Sequence, residues 1–142
     1  MGKQENSGTL VNVGLLVIRV GIGIMFIMHG WPKISGGPDS WAQLGQTIGT
    51  VGIHFGYPFW GFMAAFAEFV GGIALILGLF TRFFSLLMLI TMVVAAAMHL
   101  RKGDGVAVAS HAIEMAVVFL GLLFTGAGAY SAGMFINRGG KK

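Results

Sequence analysis

In "GLLVIRVGIGIMFIMHGWPK", residues 14–33, an arginine stands in the middle of an otherwise apolar run. In water Arg19 would need no explanation, but an arginine at the centre of a bilayer costs about 3 kcal/mol on insertion scales. The medium therefore decides the fold. Of the 142 residues, 56% are hydrophobic and 10% charged, and mean hydropathy is +0.83. An average soluble domain carries about 25% charged residues. The composition is that of an integral membrane protein.

Working outward from this run, stretches long enough to cross about 30 Å of hydrocarbon fall at about residues 10–29, 59–79, 83–100 and 109–127. They predict an all-α fold, a four-helix membrane bundle forming one transmembrane domain over residues 1–142. The first run is too long for a signal peptide and has no small-residue cleavage site before a polar region, so it reads as an uncleaved anchor. The short connection at Thr81-Arg82 makes the second and third spans antiparallel neighbours. Lys3, Arg82, Arg138, Lys141 and Lys142 fall on one side of this topology, against Lys33, Arg101 and Lys102 on the other. That asymmetry predicts both termini in the cytoplasm.

The connection from Gly30 to Pro58 is too long for a plain loop. Within it Trp41, Leu44, Ile48 and Val51 recur at helical spacing, which predicts a short interfacial helix at about residues 40–52, with Ser40 as N-cap. Trp31, Trp41, Tyr57 and Trp60 suit the aromatic belt of a membrane surface. Such a segment serves either as a lid over the helices or as a surface anchor.

Two polar constellations stand out inside the spans. Arg19 and Glu68 both fall near the midplane, and Glu68 is surrounded at helical spacing by Gly61, Ala64, Ala65, Gly71 and Gly72, a face on which another helix packs closely. Because isolated buried charges are prohibitive, the two are expected to pair, either as assembly glue or as a ligand contact. His29, His54, His99 and His111 all belong to the side opposite the termini, and Glu114 lies three residues beyond His111. Imidazoles above a mid-membrane Arg and Glu suit a quinone, whose carbonyl oxygens they can donate to while carboxylates carry protons.

Other chemistries fit less well. There are no cysteines, which excludes disulfides, thiolate catalysis, iron–sulfur clusters and thiolate zinc sites. No tight ligand spacing such as H-E-x-x-H favours a metal, and haem b would need two histidines facing each other. The net charge of +4 is scattered at segment ends and gathers in no stripe, which argues against nucleic acid. "GAGAYSAG", residues 126–133, has dinucleotide-like glycines but follows an apolar helix and no strand, so it is not a dinucleotide fingerprint.

Together, Arg19, "HGWPK" at 29–33, "AEFVGGIALILGLFTR" at 67–82, "HAIE" at 111–114 and "TGAGAYS" at 125–131 resemble, in the same order, the DoxX family of small four-span membrane proteins. The resemblance covers nearly the whole chain. It implies a bacterial or archaeal cytoplasmic-membrane protein related to the small subunits associated with thiosulfate:quinone oxidoreductase. Nothing in the chain supplies a thiosulfate site, so sulfur oxidation would require a partner. The expected function is a quinone-interacting subunit of a membrane oxidoreductase, with Arg19, His29, His99 and His111 contacting the quinone and Glu68 or Glu114 relaying protons. The alternatives are a non-catalytic accessory subunit, packed against partner subunits or further copies of itself in the lipid, and a small-molecule transporter.

Overall fold

The computed structural model describes residues 2–139. Lys141 and Lys142, which weigh in the expected orientation, lie outside them. The described residues are helical: α1 (Gly2–Ser35), α2 (Gly37–Gly45) running into a 3₁₀ segment (Gln46–Val51), α3 (Tyr57–Leu77), α4 (Thr81–Lys102), α5 (Val106–Thr125) and α6 (Ala132–Gly139). Helices α1, α3, α4 and α5 are each long and apolar enough to cross a membrane. Large apolar side chains such as Val17, Phe83, Val117 and Phe124 stay exposed on the bundle surface, where they meet lipid.

Helix α1 departs from expectation at its end. Gly30 and Pro32 are stop signals in water, and the first span was expected to close at His29, yet α1 continues to Ser35. Proline in the last turn removes only one hydrogen bond. Three contacts hold the extra turn: Trp31 meets Phe69 at a tilt with ring centres 5.5 Å apart, Lys33 pairs with Glu68, and the Trp41 indole N–H donates to the Lys33 carbonyl at 3.0 Å. The longer helix carries a buried stripe of Arg19, Gly23, Phe26 and Gly30 that ends on Lys33. Residues seven apart fall nearly in line on a helix.

Glycines fix the register of α1 against the antiparallel α3. A methyl group at Gly23 would come within 2.7 Å of the Gly72 carbonyl oxygen, and one at Gly30 within 2.5 Å of the Phe69 nitrogen. Side chains at these crossings would push the backbones apart. This register sets Arg19 beside Leu75 and Gly78 and brings Glu68 level with the far end of α1.

The segment before α3 is more firmly docked than a surface anchor. Gly45 lies against the Tyr57 carbonyl and Gly61 against that of Trp41, with no room for a Cβ at either glycine. Trp41 meets Phe62 edge-on at 5.0 Å, and the 3₁₀ segment packs onto α4. Helix α2 starts at Gly37 with Pro38 in its first turn and no side-chain cap, so Ser40 lies inside the helix and is not its N-cap.

Helices α3 and α4 meet through Gly71 against Met88 and Phe84. The core continues through Leu75, Met92 and Leu122, and Phe26 of α1 meets Phe119 of α5 edge-to-face at 5.0 Å. The bundle thus has two ends. One, the terminal end, carries the α3–α4 turn and residues 126–131; the other, the histidine end, carries the docked segment and the α4–α5 turn.

Candidate functional site

Arg19 and Glu68 do not pair. Fourteen residues of helix separate Arg19 from Lys33, about 21 Å at about 1.5 Å per residue, and the glycine register sends the two cations to opposite parts of α3. Arg19 is completely buried at the terminal end. Its Nη1 donates to the Leu75 carbonyl at 3.1 Å, one of the last carbonyls of α3, and its Nη2 donates to the Tyr130 carbonyl. The positive charge sits against the negative end of the α3 dipole and needs no carboxylate.

The glycines of "GAGAYSAG" serve this latch. Gly126 and Gly128 take positive φ values of 72° each, which turns the chain back toward α1. There the Asn12 side chain accepts the Ala129 N–H at 2.8 Å, and Arg82 donates to the Phe124 carbonyl at 3.2 Å. Gly78, with φ 68°, has neither the conformation nor the space for a side chain, because a Cβ would run into the Arg19 guanidinium.

Glu68 instead finds Lys33 at the histidine end. The ammonium reaches both carboxylate oxygens at 2.7 and 2.6 Å. The Glu68 side chain is 4% exposed and that of Lys33 36%, so the pair spans the boundary between the interior and a more open space. Sequence reading missed Lys33 because it placed the residue beyond the end of α1. The seven-residue spacing of Arg19, Phe26 and Lys33 was the available signal.

Two cavities share this pair. The larger, about 460 Å³, lies between α3 and α4 under the docked segment. Ala64, Ala67, Ala95 and Gly45 leave its volume open, Phe59, Trp60 and Ile90 supply apolar wall, and Lys33, Glu68, Thr91 and His99 supply the polar groups. Leu44, Thr47 and Ile48 roof it, so the segment has the position of a lid. Phe59 and Ile90 are exposed on the lipid-facing surface. The smaller cavity, about 180 Å³, is lined by His29, His99 and His111 together with Lys33 and Glu68. His29 and His111 stand 6.1 Å apart between ring centres, and His99 Nδ1 lies 2.8 Å from an Asp104 carboxylate oxygen.

Of the expected site residues, the structure therefore gathers His29, Glu68, His99 and His111. Arg19 lines neither cavity. Glu114 is exposed on α5 and lines neither as well, and His54 is exposed beside Gly49 of the 3₁₀ segment. Among the described residues no group of three or more His, Asp and Glu side chains is placed to hold a metal ion together.

Comparison with known proteins supplies the family. Residues 14–101, which hold Arg19, His29, Lys33, Glu68 and His99, match the DoxX family. The chain belongs to the DoxX family. It is also 33% identical over 135 residues to the inner membrane protein YqjF of Escherichia coli (strain K12), covering 91% of this chain and 96% of that one. No solved structure matches. Four membrane-length helices and an inner-membrane relative together support a multi-pass DoxX protein of the bacterial inner membrane. Helix α5, with His111 and Glu114, lies beyond the matched DoxX segment.

Proposed function

We propose that this DoxX protein is a quinone-interacting subunit of a membrane oxidoreductase, with its termini in the cytoplasm and its histidine end facing outward. The observation that carries the reading is the larger cavity. Its volume of about 460 Å³ lies within the range of roughly 300–1,000 Å³ usual for small-molecule sites. Its mostly apolar walls end on a hydrogen-bonded ion pair, and its apolar rim gives access from the bilayer. That combination suits an isoprenoid quinone, with a greasy tail and a ring carrying two carbonyl acceptors.

In this reading Lys33 takes the role expected of Arg19. Its ammonium donates to a ring carbonyl and stabilises negative charge that develops on the oxygen. Glu68 holds Lys33 in place and gives or takes the proton at that oxygen. His99, whose Nδ1 is held by Asp104, brings its other ring nitrogen to the wall as a second polar contact. Two electrons and two protons separate quinone from quinol, and the electrons are exchanged with a redox partner in the membrane.

Glu114 favours such a partner. An exposed carboxylate about 12 Å into α5, eight residues from Val106, is costly against lipid. A neighbouring membrane helix that pairs with it removes the cost. A non-catalytic accessory role would use the same contact without the cavity.

Titration of the purified protein in lipid nanodiscs with decylubiquinone, followed by tryptophan fluorescence, tests the reading. Trp60 in the cavity wall should give saturable quenching, and Lys33→Met should weaken it at least about tenfold, the loss of one charge-assisted hydrogen bond. Quenching that does not saturate, in protein that stays folded, leaves the accessory role in its place.

A further inference from the structure

The two cavities meet at the same ion pair but differ in their surroundings. Five titratable groups from four helices face the smaller one: His29 and Lys33 of α1, Glu68 of α3, His99 of α4 and His111 of α5. They form a gradient of exposure. His29 and His111 are exposed, His99 is 31% exposed and bound to Asp104 of the α4–α5 turn, and Glu68 is 4% exposed. The cavity's volume of about 180 Å³ has room for about six waters at about 30 Å³ each, and five polar side chains give them the partners a buried water needs. Below, the cavity ends on Phe26, itself buried against Phe119 in the core, so its floor is apolar.

From this geometry we infer that the smaller cavity is a water-filled proton vestibule. It connects the Lys33–Glu68 pair to the aqueous phase at the histidine end alone, while the larger cavity admits its occupant from the lipid. Protons that Glu68 exchanges therefore enter and leave on the side of the membrane opposite the termini, by way of the histidine-lined space. The only bonds that change are the N–H and O–H bonds that a proton leaves and joins. Use of the route in quinone chemistry rests on the function proposed above; the water route itself does not.

The chain has no cysteine, so single introduced thiols report without background. A thiol reacts as its thiolate, which forms where water reaches it and is suppressed in apolar surroundings. Ala112→Cys places a thiol in the vestibule wall, and Val117→Cys places one on the lipid-facing surface of the same helix. In sealed vesicles of known orientation, the membrane-impermeant reagent 2-(trimethylammonium)ethyl methanethiosulfonate should label Ala112→Cys from the histidine face. Labelling should be at least about tenfold slower for Val117→Cys, and slower by a similar factor for Ala112→Cys from the terminal face. Labelling after denaturation confirms that each thiol is present, and Met92→Cys, also in the wall and equally buried, replaces Ala112→Cys if the latter fails to insert. Equal rates for wall and lipid-facing thiols, or labelling from the terminal face alone, overturn the inference. Because no quinone is added, failure here is separate from failure of the fluorescence titration.

Discussion

Helix α1 carries two cations on one stripe, and the two ends of the bundle treat them in opposite ways. Arg19 is fully buried, its two terminal nitrogens donate to the carbonyls of Leu75 and Tyr130 while its Nε–H has no partner among the described residues, and it touches neither cavity. Lys33 is 36% exposed, pairs with a carboxylate that can take up a proton, and stands between two cavities. A guanidinium spreads fixed donors over several carbonyls and never loses its charge, which suits a permanent latch. An ammonium beside a carboxylate is a labile pair, which suits exchange with a ligand. The difference separates what holds the bundle together from what the bundle can do.

Breaking the latch should have the largest effect. Arg19→Met leaves two carbonyls without their donor and removes the link between α3 and residues 126–131, at an expected cost of about 3–5 kcal/mol. Thermal unfolding in detergent should show a large drop in Tm or no folded protein. Gly78→Ala attacks the same latch from α3. Left-handed backbone costs a non-glycine residue about 1–2 kcal/mol, and the new methyl also displaces the guanidinium, so a loss of about 2–4 kcal/mol is expected in the same assay.

At the histidine end the balance reverses. Glu68→Gln removes a pair that is partly exposed and keeps the side chain's shape, so the expected stability loss is about 1–2 kcal/mol, while quinone quenching falls at least about tenfold. The smallest effect is expected where a glycine touches nothing. Gly121 sits on the exposed face of α5 with no atom near a new Cβ, and Gly121→Ala should leave Tm unchanged or raise stability by about 0.5–1 kcal/mol through helix propensity.

The four spans were legible because length and hydropathy alone decide which helices can cross a membrane. That His29, His99 and His111 share one side was legible from topology, since each closes or opens a span there; that they line one cavity was not, because helix rotation leaves no mark in the spacing. The pairing of Arg19 was not. Backbone carbonyls at a helix end accept hydrogen bonds as well as a carboxylate does, and every residue carries one, so no sequence feature marks Leu75 and Tyr130 as acceptors. Lys33 was hidden for a different reason. Gly30 and Pro32 resemble a helix end, but in this chain Gly30 is a close crossing with Phe69, and Pro32 is tolerated in the last turn of α1. Ending the span at His29 moved Glu68 level with Arg19 on paper, whereas the glycine crossings place it level with Lys33.

The central claim is that the labile pair, and not the buried arginine, is the polar centre of the site. Decylubiquinone affinity measured side by side for Arg19→Lys, which keeps the buried charge, and Glu68→Gln in nanodiscs tests it most directly. The account predicts binding within about threefold of the unaltered protein for Arg19→Lys, and a loss of at least about tenfold for Glu68→Gln, the worth of one charge-assisted hydrogen bond. A tenfold loss for folded Arg19→Lys together with unchanged binding for Glu68→Gln would contradict it.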